Sequence, residues 1–135
     1  MSPTRLPPPD DLDPFDLPDA LGVGEVTWVA DDGLTGHHLH GRLLTDDDGS
    51  HVEVACDLLA VDQAYPAPVA GDALRARAHQ AWQHGEVHLV AYDGRATLLV
   101  PGTRFGAEVV LDAVGRLARA LGARPSSYGV RLRLG

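Results

Sequence analysis

The sequence predicts an α+β fold. An antiparallel sheet begins as an N-terminal β-meander, runs into a β-α-β-β-α-β succession of ferredoxin-like order, and carries one long C-terminal helix packed on it. Three observations predict this. The turn signals Asp46-Asp47-Asp48-Gly49 and Asp93-Gly94 each separate runs that alternate apolar and polar residues. Residues 105–121 repeat apolar side chains at helical spacing instead. The last residues, Tyr128 to Leu134, alternate again and read as a closing strand.

Six of the ten prolines and five aspartates fall in residues 3–19. Such a stretch buries too little apolar surface to offset its ordering entropy. Residues 1–21 are therefore expected to be extended or mobile, with Phe15 and Leu17 as the side chains able to dock. A single α+β domain is expected over 22–135. A first turn signal, Asp31-Asp32-Gly33, follows. Taking residues 46–49 as a four-residue loop sets Thr45 opposite Ser50, Arg42 opposite Glu53 and His38 opposite Asp57. One face then carries His38, His40, Arg42, His51, Glu53 and Asp57. The other carries Leu39, Leu43, Val52, Val54, Cys56 and Leu58, so opposite charges meet and the large apolar residues share a side.

Residues 73–83, ALRARAHQAWQ, fit two patterns. As a helix they are capped by Asp72, lined by Leu74, Ala78, Ala81 and Trp82, and ended by Gly85. As a strand they alternate, and the fold becomes a mostly β curled sheet or barrel with a single covering helix. Five of the eleven residues are Ala or Leu and none is β-branched, which favours helix. The Asp93-Gly94 hairpin pairs Tyr92 with Arg95. It puts Val87, Leu89, Ala91, Ala96, Leu98 and Val100 on one face. His88, Val90, Tyr92, Arg95, Thr97 and Leu99 take the other, which is half apolar and needs cover. The C-terminal helix shows an apolar stripe (Ala107, Val110, Leu111, Val114, Leu117, Ala118, Leu121), an Asp112–Arg116 pair, and Gly122 as its terminator.

The 135 residues and 44% hydrophobic content suit one globular domain. A lone cysteine rules out an intramolecular disulfide framework. The N-terminus lacks the apolar core of a secretory signal, and apolar runs such as Leu58–Val61 are far below the ~18 residues of a membrane span. A cytoplasmic location is expected. All 11 basic residues are Arg, and Lys, Asn and Ile are missing, which reads as a GC-rich bacterial genome. The chain is acidic at −8, yet unevenly so: residues 1–66 hold 14 Asp/Glu against 2 Arg, residues 67–135 hold 5 against 9. The simplest account is two halves that face each other in one fold. With this net charge and 5% aromatic residues, nucleic acid is not an expected partner.

Candidate chemistry clusters in two places. His38, His40 and His51 share a sheet face with Glu53 and Asp57, a set able to bind a transition metal or to form an acid–base pair in which Asp57 orients His38. The spacing matches no zinc signature, so the expected role is a solvated face whose charges pair for register, with the metal or acid–base site as the alternative. Gly102, Thr103, Arg104 and Gly106 join a strand to the long helix and form a candidate anion site, although the loop lacks a P-loop ending. His79 and His84 stand too far around a helix to share a ligand. Cys56, on the apolar face, is expected to be inert. Ser126 and Ser127 lie in no nucleophile elbow. With no catalytic set visible, the expectation is a binding or protein-interaction module without a cofactor. Its partner would be another copy in a homodimer, another protein, or a small anionic ligand.

Overall fold

The computed structural model describes residues 10–22, 24–31, 36–47, 50–62 and 71–131. Among the described residues, eight strands and two α-helices follow one another: β1 (Asp10–Asp11), β2 (Val26–Ala30), β3 (His38–Leu39), β4 (Gly41–Asp47), β5 (Ser50–Ala60), α1 (Asp72–Gln83), β6 (His88–Tyr92), β7 (Arg95–Val100), α2 (Ala107–Ala120) and β8 (Tyr128–Arg131). The strands form one mixed open sheet in the order β1-β6-β7-β5-β4-β2-β8, with β3 continuing the β4 side of β5. None of the described helices is long and apolar enough to cross a membrane.

Local chemistry accounts for the elements. Asp93 and Gly94 take positive φ (53° and 73°), as a two-residue hairpin turn requires, and Tyr92 pairs with Arg95. Residues 72–83 are helical, so the curled-sheet alternative with a single helix does not hold. The helix starts from Gly71, with Asp72 as its first residue rather than its cap. Both helices end alike. Gly85 and Gly122 adopt positive φ, and the next amides, Glu86 and Ala123, reach back to Ala81 O and Ala118 O, the doubled closure that left-handed glycine permits.

Two expectations need correction. The hairpin joining β4 to β5 pairs Asp47 with Ser50, Leu44 with Glu53 and Arg42 with Ala55, two residues out from the expected register. Aspartate disfavours strands, but the ladder here extends through Asp46 and Asp47. A shift by two preserves sidedness, so the apolar and polar faces are those expected. The ferredoxin-like order also fails. In the succession β5-α1-β6-β7-α2-β8 the last strand would flank β5. Instead β3 and β4 occupy that edge along its length, and β8 pairs in parallel with β2. The β4–β5 pair closes over two residues, so its contact costs far less loop entropy than one arriving after α2.

Strand parity puts the helices on opposite faces. Val110, Ala113, Val114, Leu117 and Ala118 of α2 cover Cys56, Leu58, Ala60, Leu89, Leu98 and Val100, together with Trp28 and Leu43. Leu74 and Ala78 of α1 cover Leu59, Val61, Val90, Tyr92 and Leu99, the half-apolar face that needed cover. Each fully buried Leu or Val contributes about 1.5–3 kcal/mol. Arg116 joins the helices at the sheet edge: its guanidinium lies 3.5 Å over the Trp82 ring and donates to Trp82 O in the last turn of α1 and to Glu86 O in the link to β6. Within the segment expected to be extended or mobile, β1 pairs with β6, Leu12 and Leu17 pack against the α2-side core, and Leu21 is fully buried.

Gly41 has a specific reason to be glycine. A Cβ there would lie 2.4 Å from two carbons of the Trp28 ring, which is fully buried and hydrogen-bonded through Nε1 to Cys56 O (2.8 Å). Gly115, inside α2, faces open space. Gly41→Ala should therefore destabilise the fold by about 1–3 kcal/mol through overpacking. Gly115→Ala should stabilise it by about 0.5–1 kcal/mol through helix propensity. Urea unfolding followed by Trp fluorescence measures both, and the two changes should have opposite signs.

Candidate functional site

The polar face of β3–β5 gathers around one carboxylate. Asp57 points away from α2 into a corner that α1 does not reach, and its side chain is only 1% exposed. Arg95, the first residue of β7, grips it with two hydrogen bonds, Nε to Oδ2 at 2.9 Å and Nη2 to Oδ1 at 3.0 Å. The same Nη2 also donates to Gly41 O (3.1 Å), and the Gly41 amide donates to Oδ1 (3.1 Å). The carboxylate thus ties three neighbouring strands together.

Two imidazoles complete the corner. His38 and His40 are two residues apart and lie on the same side of their strand. His40 Nδ1 is 3.3 Å from Asp57 Oδ2, with its side chain half exposed (49%). His38 Nε2 is 3.4 Å from the same oxygen, close but without hydrogen-bond geometry, and is a buried polar atom lacking any other partner. The rings stack tilted with centroids 4.4 Å apart, and Tyr92 meets His38 edge-on at 5.6 Å. Burial alone would raise the Asp57 pKa. The contacts from His38, Arg95 and the Gly41 amide outweigh it and hold the carboxyl well below the usual range.

Of the five residues proposed from sequence, His38, His40 and Asp57 come together, with ligand atoms within 4.8 Å of one another. The other two do not join them. His51 lies six residues back along β5, about 20 Å at strand rise, and its side chain lies outside the described residues. Glu53 instead accepts Arg42 Nη1 (2.8 Å), whose Nε bonds Asp31 (2.9 Å). Arg95 is the member that sequence reasoning missed. It was legible as the polar end of the second hairpin, but only the parallel β5–β7 pairing brings it to Asp57.

The strand-to-helix loop is organised by an internal carboxylate. Gly102 N donates to Asp62 Oδ2 (2.7 Å) and Asp62 N donates to Gly102 O (3.0 Å). Thr103 and Arg104 are exposed, and Gly106 precedes α2 in an extended conformation without a side-chain cap. Asp62 also holds His79 (2.5 Å). Cys56 faces the core, where burial pushes its thiol up to about 12. Comparison with known proteins adds no functional guide: no family model, no curated protein and no solved structure matches this chain.

Because the folded Asp57 pKa lies below its unfolded value near 3.9, its contribution to stability is present above about pH 4 and is lost as pH falls through the folded value. Stability of the wild type should therefore fall as pH drops below about 4. Asp57→Asn should show a shallower slope there. At pH 7, Asp57→Ala should cost about 1–3 kcal/mol, because it leaves the buried Gly41 amide without its acceptor and the partly exposed Arg95 without its counter-ion. Urea titrations across pH measure both.

Proposed function

We propose that the chain is a small binding module whose ligand at this corner is a late first-row divalent metal ion, with His38 Nε2, His40 Nδ1 and Asp57 Oδ2 as donors. One observation carries the reading. A carboxylate has about four lone-pair sites. Gly41 N and Arg95 Nη2 use two on Oδ1, and Arg95 Nε uses one on Oδ2. Two imidazole nitrogens, at 3.3 and 3.4 Å, face the single site that remains, and His38 Nε2 is left buried with no hydrogen bond, only that longer contact to Asp57.

A metal ion resolves that conflict. At ligand distances of about 2.0–2.2 Å, tetrahedral donors stand roughly 3.4 Å apart, which is the spacing of each imidazole from Oδ2. Arg95 and the Gly41 amide would hold the ligating carboxylate, and the exposed side of His40 leaves an open position toward solvent. Imidazole with carboxylate suits zinc, nickel, copper or cobalt. Arg95 already neutralises Asp57, so the bound dication keeps an uncompensated charge and the affinity should be near micromolar, about 8 kcal/mol. An acid–base dyad of His40 and Asp57 uses the same contact but gives His38 Nε2 no role. A reducing cytoplasmic setting, as the lone cysteine suggests, goes with this reading.

Thermal unfolding of the purified chain with each metal, and again after EDTA, tests the proposal. A site filled at about 100 times its Kd adds about 2.7 kcal/mol, several degrees for this size. The shift should vanish in His38→Ala and in His40→Ala and persist in His79→Ala. Cobalt should give the intense visible absorption of a four-coordinate centre. No shift with any of the four metals, or a shift that survives in both His variants, would overturn the reading.

A further inference from the structure

The outer edge of β6, which β1 occupies, carries a second recognition device. β1 adds to it antiparallel, with Asp10 opposite Ala91 and Asp11 opposite Val90, and Leu12 N donates to Leu89 O (3.1 Å). The Asp11 carboxylate sits in a cationic notch: Arg77 Nη1 of α1 donates at 2.7 Å, and His88 Nε2 of β6 lies at 2.8 Å. Leu12 packs beside it against the core. Backbone pairing, a charge-reading notch and an apolar seat are the parts of a site that binds an extended peptide by strand addition.

What fills it is a segment of unlike charge from far along the chain. Arg77 and His88 stand 66 and 77 positions from Asp11, in the half that carries 9 Arg against 5 acidic residues. Residues 10–19 carry five aspartates and no basic residue. Their contacts to β6 are few, and the following turn, Pro14–Asp16, ends in Leu17 and Pro18 before Leu21 is fixed by its core seat and by the Tyr128 hydroxyl on its carbonyl. Phe15, in that turn, is 79% exposed.

We propose that this edge receives the same segment from a second copy of the chain, so that two molecules exchange residues 10–17 and form a homodimer. The exchanged contacts are those already present within one chain, so the dimer adds no new recognition chemistry, only a change of course around Leu17–Pro18. Where two segments cross, the same residue of each copy meets across the two-fold axis. Phe15 lies next to that crossing, and its exposed ring is the apolar surface the second copy covers. The charge difference between the halves serves in trans the purpose it serves in cis.

Reciprocal charge reversal in the full-length chain tests the proposal, with EDTA present so that metal binding plays no part. Wild type should dimerise with rising concentration in sedimentation or light scattering. Asp11→Arg alone sets Arg against Arg77, and Arg77→Asp alone sets Asp against Asp11, so each variant alone should be monomeric. Mixed in equal amounts they should form a heterodimer, since each segment then finds an opposite charge on the other copy. Phe15→Ser should weaken the wild-type dimer at least roughly tenfold while leaving monomer unfolding unchanged. A mixture as monomeric as its components, or a wild-type dimer indifferent to Asp11→Arg, would overturn the proposal.

Discussion

The paired charges of Asp57 and Arg95 hold a position that the rest of the sheet depends on. Taking a carboxylate out of water costs several kcal/mol, and only near-complete satisfaction of its lone pairs offsets that. Here the offset comes from three strands at once. Arg95 begins β7, Asp57 lies in β5, and Gly41, which begins β4, supplies both an amide to Asp57 and a carbonyl to Arg95. The constraint reaches through the sheet. Gly41 must bring its backbone to Asp57 on one face while the Trp28 ring presses against its Cα on the other, and only a residue without a side chain allows both. Trp28 in turn is held by the carbonyl of Cys56, the neighbour of Asp57. The polar corner and the apolar core are two sides of one contact.

The helices divide the work of covering the sheet. α2 lies over the apolar face and extends to β8, while α1 covers only the β6, β7 and C-terminal β5 part of the opposite face. The boundary of α1 decides where a polar site can exist. Leu59 and Leu99 lie beneath it and are apolar. Asp57, one strand pair earlier on the same face, lies beyond it and is supported by His38, His40 and Arg95. Arg116 ties the end of α1 to α2 around the β6 edge.

What was legible in the sequence was local. The α2 stripe (apart from Leu111, which is exposed), its Gly122 terminator, the Asp93-Gly94 turn and the sidedness of β4 and β5 all follow from periodicity and turn chemistry within a few residues. Sidedness survived even the two-residue error in register, because an even shift moves no side chain to the other face. His38, His40 and Asp57 were recognisable for that reason. Register itself was not, since four consecutive polar turn residues fit a loop of four or of two. Nor was the strand order. Nothing local says that β7 flanks β5, or that β2 and not β5 accepts β8. Arg95 depends on the first of these facts, and so the residue that most strongly shapes the Asp57 site was out of reach.

The uneven charge of the chain finds its account in long-range pairs. Among the described residues, two Asp–Arg pairs connect the acidic first half with the basic second half, Asp57 with Arg95 and Asp11 with Arg77, and His88 reinforces the second. They differ in burial, and so in consequence. Asp57 is almost wholly enclosed, so its pair behaves as a permanent part of the sheet, and losing Arg95 leaves a carboxylate without water. Asp11 and Arg77 are both more than half exposed, where an ion pair is screened and contributes about 1 kcal/mol or less. The first pair is suited to holding histidines in place for a ligand. The second is suited to a contact that forms and releases. One charge pattern thus supports a fixed site and an exchangeable one, and burial separates them.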